Sequence, residues 1–203
     1  MAAAPKRRTR LAPEDRRNAI LDQAAGLVID QGLSGLTMEG VAARAEVSPA
    51  LLYHYFPSRL DLLQAVLRRE YERLHAAQAI ENMASSSFED MVRRMTALSL
   101  RQSEERGLLI ERLMSDPGVV AAFEVENRAD RRAAVRFLSR RLARAHDIVE
   151  AEAEAIVELC MGITAAAGAR IAAGTATRVK IEPLTIGMIL GAISAGVAEI
   201  KRR

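Results

Sequence analysis

Thr37-Met-Glu-Gly-Val-Ala-Ala-Arg-Ala-Glu-Val-Ser48-Pro-Ala-Leu-Leu-Tyr-His-Tyr-Phe56 is the stretch on which the fold of this 203-residue chain turns. Thr37 and Ser48 are residue types that cap helix starts. They predict two short helices, Met38–Arg44 and a second opening at Ser48-Pro49 and closing before Pro57, joined by Ala45-Glu46-Val47. Neither is long enough to be stable alone. Val41, Ala42, Ala45 and Val47 supply a small apolar surface where the two cross. On the second helix Leu52, Tyr55 and Phe56 share one side and anchor it to its neighbours. Pro49, Ala50, Tyr53 and His54 then point outward, with Leu51 at the edge. Two outward rings are unusual in a chain only 3% aromatic. Tyr hydroxyls and His nitrogens bond phosphate oxygens, and Ala or Leu can touch thymine methyls. The pattern predicts a helix-turn-helix that lays Ser48–Tyr55 against DNA. The competing reading is a packed aromatic cluster, since aromatic stripes are usually core.

Helix-spaced apolar residues continue in both directions with almost no strand-like alternation. Upstream, Pro13-Glu14-Asp15 reads as a first turn, burying Ile20, Leu21, Ala24, Leu27 and Val28 behind it and stopping at Gly32. Downstream, Ser58 and Asp61 resemble a capping box opening a long fourth helix, whose apolar face runs Leu62, Leu63, Val66, Leu67, Tyr71 and Leu74. Ser86 and Glu89 offer another box for a fifth helix, with Gly107 separating a short sixth. Asp116-Pro117 caps a long seventh. Asp147 and Glu150 suggest the cap of an eighth, ending at Gly174. After a polar loop, Glu182-Pro183 starts a ninth.

The stretch from Ile20 to Leu63 resembles the tetracycline-repressor (TetR) family of bacterial transcriptional regulators. The residues that carry it are Ile20-Leu21, Ala24, Gly32, Thr37, Val41-Ala42, Ala45, Val47-Ser48, Leu52-Tyr53-His54-Tyr55-Phe56, Ser58 and Asp61-Leu62-Leu63. Four departures stand out. Glu46 takes the place of a usual turn glycine, Leu51 of a threonine, Val28 of a phenylalanine, and Arg59-Leu60 of a Lys-Glu pair. The resemblance implies an all-α, nine-helix fold with a basic arm at 1–12, a three-helix head at 13–60 and an effector-binding, dimerising domain at 61–203. It also implies a palindromic double-stranded operator, a homodimer, and a small apolar or amphipathic effector whose binding ends repression. The expected DNA contacts are Thr37, Met38, Ser48, Pro49, Ala50, Leu51, Tyr53, His54 and Arg59, with Lys6, Arg7, Arg8 and Arg10 of the arm.

Composition sets the limits. The net charge is only +3, yet the first eleven residues carry those four bases and no acid. Cys160 is the single cysteine, which fits a reducing cytoplasm and a buried structural thiol. The longest uncharged run, Leu184–Ala198, falls short of the ~20 residues a spanning helix needs, so no membrane anchor is expected. The three histidines are scattered, and no zinc spacing, phosphate loop or nucleophile elbow is present, so neither metal, cofactor nor enzyme activity is expected.

The C-terminal two-thirds is less explicit. Met91, Met95, Leu98, Leu109, Leu113, Met114, Phe123 and Phe137 are the candidates to line an effector pocket, each also plausible as plain core. Ile163 and Ala167 on the eighth helix, with Gly187, Leu190, Gly191, Ser194 and Ala195 on the ninth, form a smooth face suited to a second subunit. Two other readings stay open: a DNA binder with no effector, and a ligand-binding or oligomerising module that has lost DNA binding.

Overall fold

The computed structural model describes residues 12–203, without the side chains of residues 125 and 126; only helices and their connections occur among them. The helices are α1 (Pro13–Gly35), α2 (Met38–Arg44), α3 (Pro49–Tyr55), α4 (Arg59–Ala84), α5 (Phe88–Met114), α6 (Pro117–His146), α7 (Glu150–Ala172) and α8 (Arg178–Ile200). α1 is in two pieces, because Gly32 adopts φ +73° within it, giving nine helical segments among the described residues. The chain divides into two compact units, Met1–Val66 and Leu67–Arg203. The division falls inside α4 rather than at the 60/61 boundary expected at its start. The basic arm expected at Lys6, Arg7, Arg8 and Arg10 lies outside the described residues.

In the N-terminal unit α1 buries Ile20, Leu21, Ala24, Leu27 and Val28, the face its periodicity predicts. Val41 and Ala42 of α2, Leu52 of α3, Phe56, and Leu62 and Leu63 of α4 complete this core. Each large side chain so buried stabilises the unit by about 1.5–3 kcal/mol. Thr37 Oγ1 accepts from the Gly40 amide at 3.0 Å, and Ser48 Oγ from the Leu51 amide at 3.2 Å, so both predicted caps form. Ser58 Oγ accepts from the Asp61 amide at 3.1 Å and donates to Asp61 Oδ2 at 2.7 Å, closing the box on itself. Glu46 sits at φ +53°, the left-handed region for which the shorter, branchless glycine is suited.

The C-terminal unit differs from the sequence expectation at four boundaries. The cap of α5 is Ser87, whose Oγ accepts from the Asp90 amide at 3.0 Å, one residue on from the expected Ser86 and Glu89. No break occurs at Gly107, and α5 runs straight through it. A Cβ there would come within 2.5 Å of Ala172 Cβ on α7, so this glycine serves close helix approach rather than helix termination. Asp147 is not an N-cap: it ends α6 at φ +53°, with the Ile148 amide returning to Ala143 O at 3.2 Å. α8 starts at Arg178, five residues before Pro183, its first turn closed by the Lys180 and Ile181 amides on Thr177 O. One core cluster joins Val135 and Leu142 of α6, Ile156 and Cys160 of α7, and Ile189 and Ile193 of α8. A smaller one gathers Leu100, Ala167 and Ile171.

Candidate nucleic-acid interface and ligand cavity

α3 is held from one side only. Leu52 is fully buried and Phe56 nearly so, while Pro49, Ala50, Tyr53 and His54 are exposed and Leu51 is half-buried. Tyr53 exposes 44% of its surface, which removes the packed-cluster reading for that ring. Tyr55 is half-buried, its ring 6.3 Å from Phe56 and edge-on to His54 at 5.7 Å. The Arg17 guanidinium lies 5.4 Å over the Phe56 ring. Arg44 ties α2 to α1 by donating to Gln23 Oε1 at 3.1 Å and Asp30 Oδ2 at 2.7 Å. It lies across Gly26, where a Cβ would stand 3.0 Å from its terminal nitrogen.

Two expected contacts are placed elsewhere. Met38 is 6% exposed and belongs to the core, because the first residue after the Thr37 cap faces inward. Arg59 is half-buried and donates from Nε to Leu36 O at 3.2 Å and from Nη2 to Leu33 O at 2.6 Å. Those carbonyls lie just past the Gly32 break, where helix termination leaves acceptors unmet. Arg59 therefore closes the end of α1 and is already committed.

The C-terminal unit holds a cavity of about 820 Å³ that is partly open to solvent. Of the expected lining residues, Met91 and Met95 face it. Leu98, Leu109 and Leu113 are buried outside its wall, and Met114, Phe123 and Phe137 are half-buried outside it as well. Phe123 packs against Tyr71 at 4.5 Å, and Phe137 sits under Arg141 at 5.9 Å. Sequence reasoning missed the polar wall: Gln78, Ser99, Gln102, Ser103 and Thr164 all line it. The available signal was hydroxyls spaced four apart on helix faces that are otherwise apolar, as Ser99 and Ser103 are. Cys160 also lines the cavity, and burial pushes its thiol above its ordinary pKa. Tyr71, another lining residue, has its hydroxyl raised for the same reason.

Beside Tyr71 lies Glu70, 1% exposed. It accepts two hydrogen bonds from Arg106 of α5, both 2.8 Å, and one from Arg73 at 3.3 Å, with Arg69 at 3.6 Å. Burial raises the Glu70 carboxyl, but the Arg106 hydrogen bonds and the charges of Arg106, Arg73 and Arg69 outweigh it and hold the group below its ordinary value. Among the described residues no group of three or more His, Cys, Asp or Glu could hold a metal ion.

Residues 20–66, which contain α2, α3 and the start of α4, match the family model for bacterial regulatory proteins of the tetR family. This head belongs to the tetR family. Over 63 residues it is 43% identical to the HTH-type transcriptional repressor KstR of Rhodococcus jostii, covering 31% of this chain and 30% of that protein. The chain thus matches less than a third of that curated relative's length. The likeness of fold extends further. A TetR-like transcriptional regulator from Rhodococcus sp. RHA1 superposes with TM-score 0.68 at 22% identity, over 93% of this chain and 99% of that one. A tetR-family regulator from Streptomyces coelicolor gives TM-score 0.70 at 18% identity, over 95% and 86%.

The C-terminal unit leaves one apolar face uncovered. Leu159 of α7 and Leu184 and Met188 of α8 are 71%, 61% and 52% exposed. Gly187, Gly191, Ser194 and Ala195 are exposed beside them, and Ile163 and Leu190 are half-buried. A Cβ on Gly187 or Gly191 would meet nothing within 4 Å. Ala167 is different: it is 6% exposed and packs inside the unit with Leu100 and Ile171. By length and composition α7 and α8 could each cross a membrane. They instead spend one face each on the core described above.

Proposed function

We propose that this tetR-family chain is a DNA-binding transcriptional regulator that acts as a homodimer, represses from a palindromic operator, and is released by a small apolar or amphipathic effector. The observation that carries the reading is the outer face of α3. A seven-residue helix anchored by Leu52 and Phe56 offers Pro49, Ala50, Tyr53 and His54 to solvent in a domain matched to a family of regulators. Tyr53 and His54 suit phosphate oxygens, with Thr37 and Ser48 nearby at helix starts, while Pro49, Ala50 and Leu51 suit base edges and thymine methyls. A mostly apolar reading face leaves part of sequence choice to DNA shape.

Electrostatics adds a division of labour. Residues 12–66 hold seven acids against four bases, Arg16, Arg17, Arg44 and Arg59. Attraction to the phosphate backbone therefore rests on Lys6, Arg7, Arg8 and Arg10. The open α7–α8 face supports a second copy as its cover, because a small-residue strip flanked by Leu159, Leu184 and Met188 lets two helix pairs approach closely. Two heads related by a two-fold axis then read two half-sites about 34 Å apart. The cavity favours effector control over an effector-independent binder, and a DNA target places the protein in the cytoplasm. The test is a mobility-shift series with the DNA flanking its own coding sequence at rising salt. Salt-sensitive retardation of one fragment is expected, and its absence from every fragment removes the DNA-binding reading.

A further inference from the structure

We infer that the cavity takes a single-chain amphiphile whose head group donates hydrogen bonds, an alkylammonium or an alcohol rather than a carboxylate. This rests on the cavity being the effector site. The first observation is shape. Lining residues run along α5 from Phe88 to Glu111, a span of about 35 Å, so the 820 Å³ is drawn out along the helix. That length suits an extended hydrocarbon chain.

The second observation is that the wall changes chemistry from end to end. The start of α5 meets the end of α6, where the Phe88 and His146 rings are 5.9 Å apart, so these helices run antiparallel. α5 and α7 run in the same direction, with Ser103 against Gly168 and Gly107 against Ala172. One end is consequently lined by Phe88, Val92, Leu142, Val157, Ile189 and Ile193, with no polar side chain among them. At the other stand Asn127, Asp130, Arg131 and Glu111, two carboxylates against one guanidinium. Arg69, Arg73 and Arg106 are turned onto Glu70 and do not line the cavity.

The third observation sets the head group. Between the two ends lies a belt of hydroxyls that have already spent their hydrogens. Ser99 donates to Met95 O at 2.9 Å, Ser103 to Ser99 O at 3.1 Å, and Thr164 to Cys160 O at 3.1 Å. A hydroxyl has one hydrogen, so what these three offer a ligand is lone pairs. An ammonium or hydroxyl head brings the donors these three hydroxyls lack. The Gln78 and Gln102 amides beside them also line the cavity, and Gln78 Nε2 already donates to Ser99 Oγ at 3.4 Å. A carboxylate, which brings no donor, is left to those amides and faces Asp130 and Glu111 beyond.

The experiment is calorimetric titration of the full chain at neutral pH with decylamine, decanol and decanoate, each below its aggregation threshold, and with pyrene as a ring-shaped control. Decylamine and decanol should bind, decanoate at least ten-fold more weakly, and each methylene from octyl to decyl should tighten binding about four-fold. The double variant Ser99→Ala/Thr164→Val should weaken decylamine at least five-fold with an unchanged melting temperature. Decanoate binding as tightly as decylamine overturns the inference, as does a flat chain-length series or an unaffected double variant. Pyrene binding where no chain probe does overturns the ligand class and leaves the effector cavity standing. Binding by none of the four removes both.

Discussion

Replacing Glu70 by Gln tests how the C-terminal unit is held together. The amide has the same volume and keeps one acceptor oxygen, but it loses the charge that answers Arg106, Arg73 and Arg69. Glu70 is 1% exposed, and its two 2.8 Å bonds to Arg106 make the arrangement bidentate. Removing one partner of a buried pair costs about 3–5 kcal/mol. The retained oxygen and the partial exposure of Arg106 place this substitution at the lower end, about 3 kcal/mol. For a chain of this size that lowers the melting temperature by roughly 6–12 °C. The sign with pH follows from the carboxyl being held below its ordinary value of 4.5. Its stabilisation is complete above that value and lost as pH falls through the lower folded value. Scanning calorimetry of both proteins should therefore show a full gap at pH 7 that narrows in acid. A gap that stays constant as pH falls, or one under 2 °C at pH 7, would falsify the account of Glu70 as the ionised centre of this cluster.

Four further outcomes are expected. Glu46→Gly should stabilise the head by roughly 0.5–1 kcal/mol in urea unfolding, because glycine accepts the left-handed turn without a Cβ penalty; destabilisation would mean the Glu46 side chain contributes more than its backbone costs. Tyr53→Ala should weaken binding to all DNA sequences by about ten-fold and leave the dimer intact. Loss of the dimer instead contradicts the exposed placement of that ring. Gly191→Arg, aimed into open space on the α7–α8 face, should give a folded protein of half the mass by light scattering; an unchanged mass moves the interface elsewhere. Deleting the first eleven residues should flatten the slope of log affinity against log salt by about 3 to 4, and an unchanged slope would show that the arm leaves the phosphates alone.

What the sequence disclosed follows from which forces are local. Caps act over three residues, so Thr37, Ser48 and Asp116 could be read directly, and each accepts the amide bonds its type predicts. The helical period of α1 likewise named its buried face. Glycine was ambiguous because one residue serves two purposes. Gly32 breaks α1 through its backbone, whereas Gly107 only makes room for Ala172, a residue 65 positions away in the chain. Arg59 misled for the same reason. Its type suits phosphate, but the carbonyls it satisfies are supplied by α1, and nothing near Arg59 in sequence announces them. In the cavity, size was a poor guide, and large apolar side chains such as Leu109 and Leu113 pack solidly elsewhere. The wall is made instead by small and hydroxylated residues, since a cavity is where bulk is withheld. The resemblance to known regulators was densest from Ile20 to Leu63, and no comparable guide extended to the pocket.

Cys160 gives the molecule an internal reporter. It is the chain's one thiol, it faces the cavity, and burial holds it in the protonated form. Alkylating reagents attack the thiolate, so its modification should be slow in the resting protein and sensitive to anything that seats beside it. A ligand whose tail reaches the apolar end would shield the sulfur, and one that stops at the hydroxyl belt would not. The rate at which a single mass increment appears on the intact chain thus measures how deep an occupant goes, without a label, an added residue or knowledge of the operator.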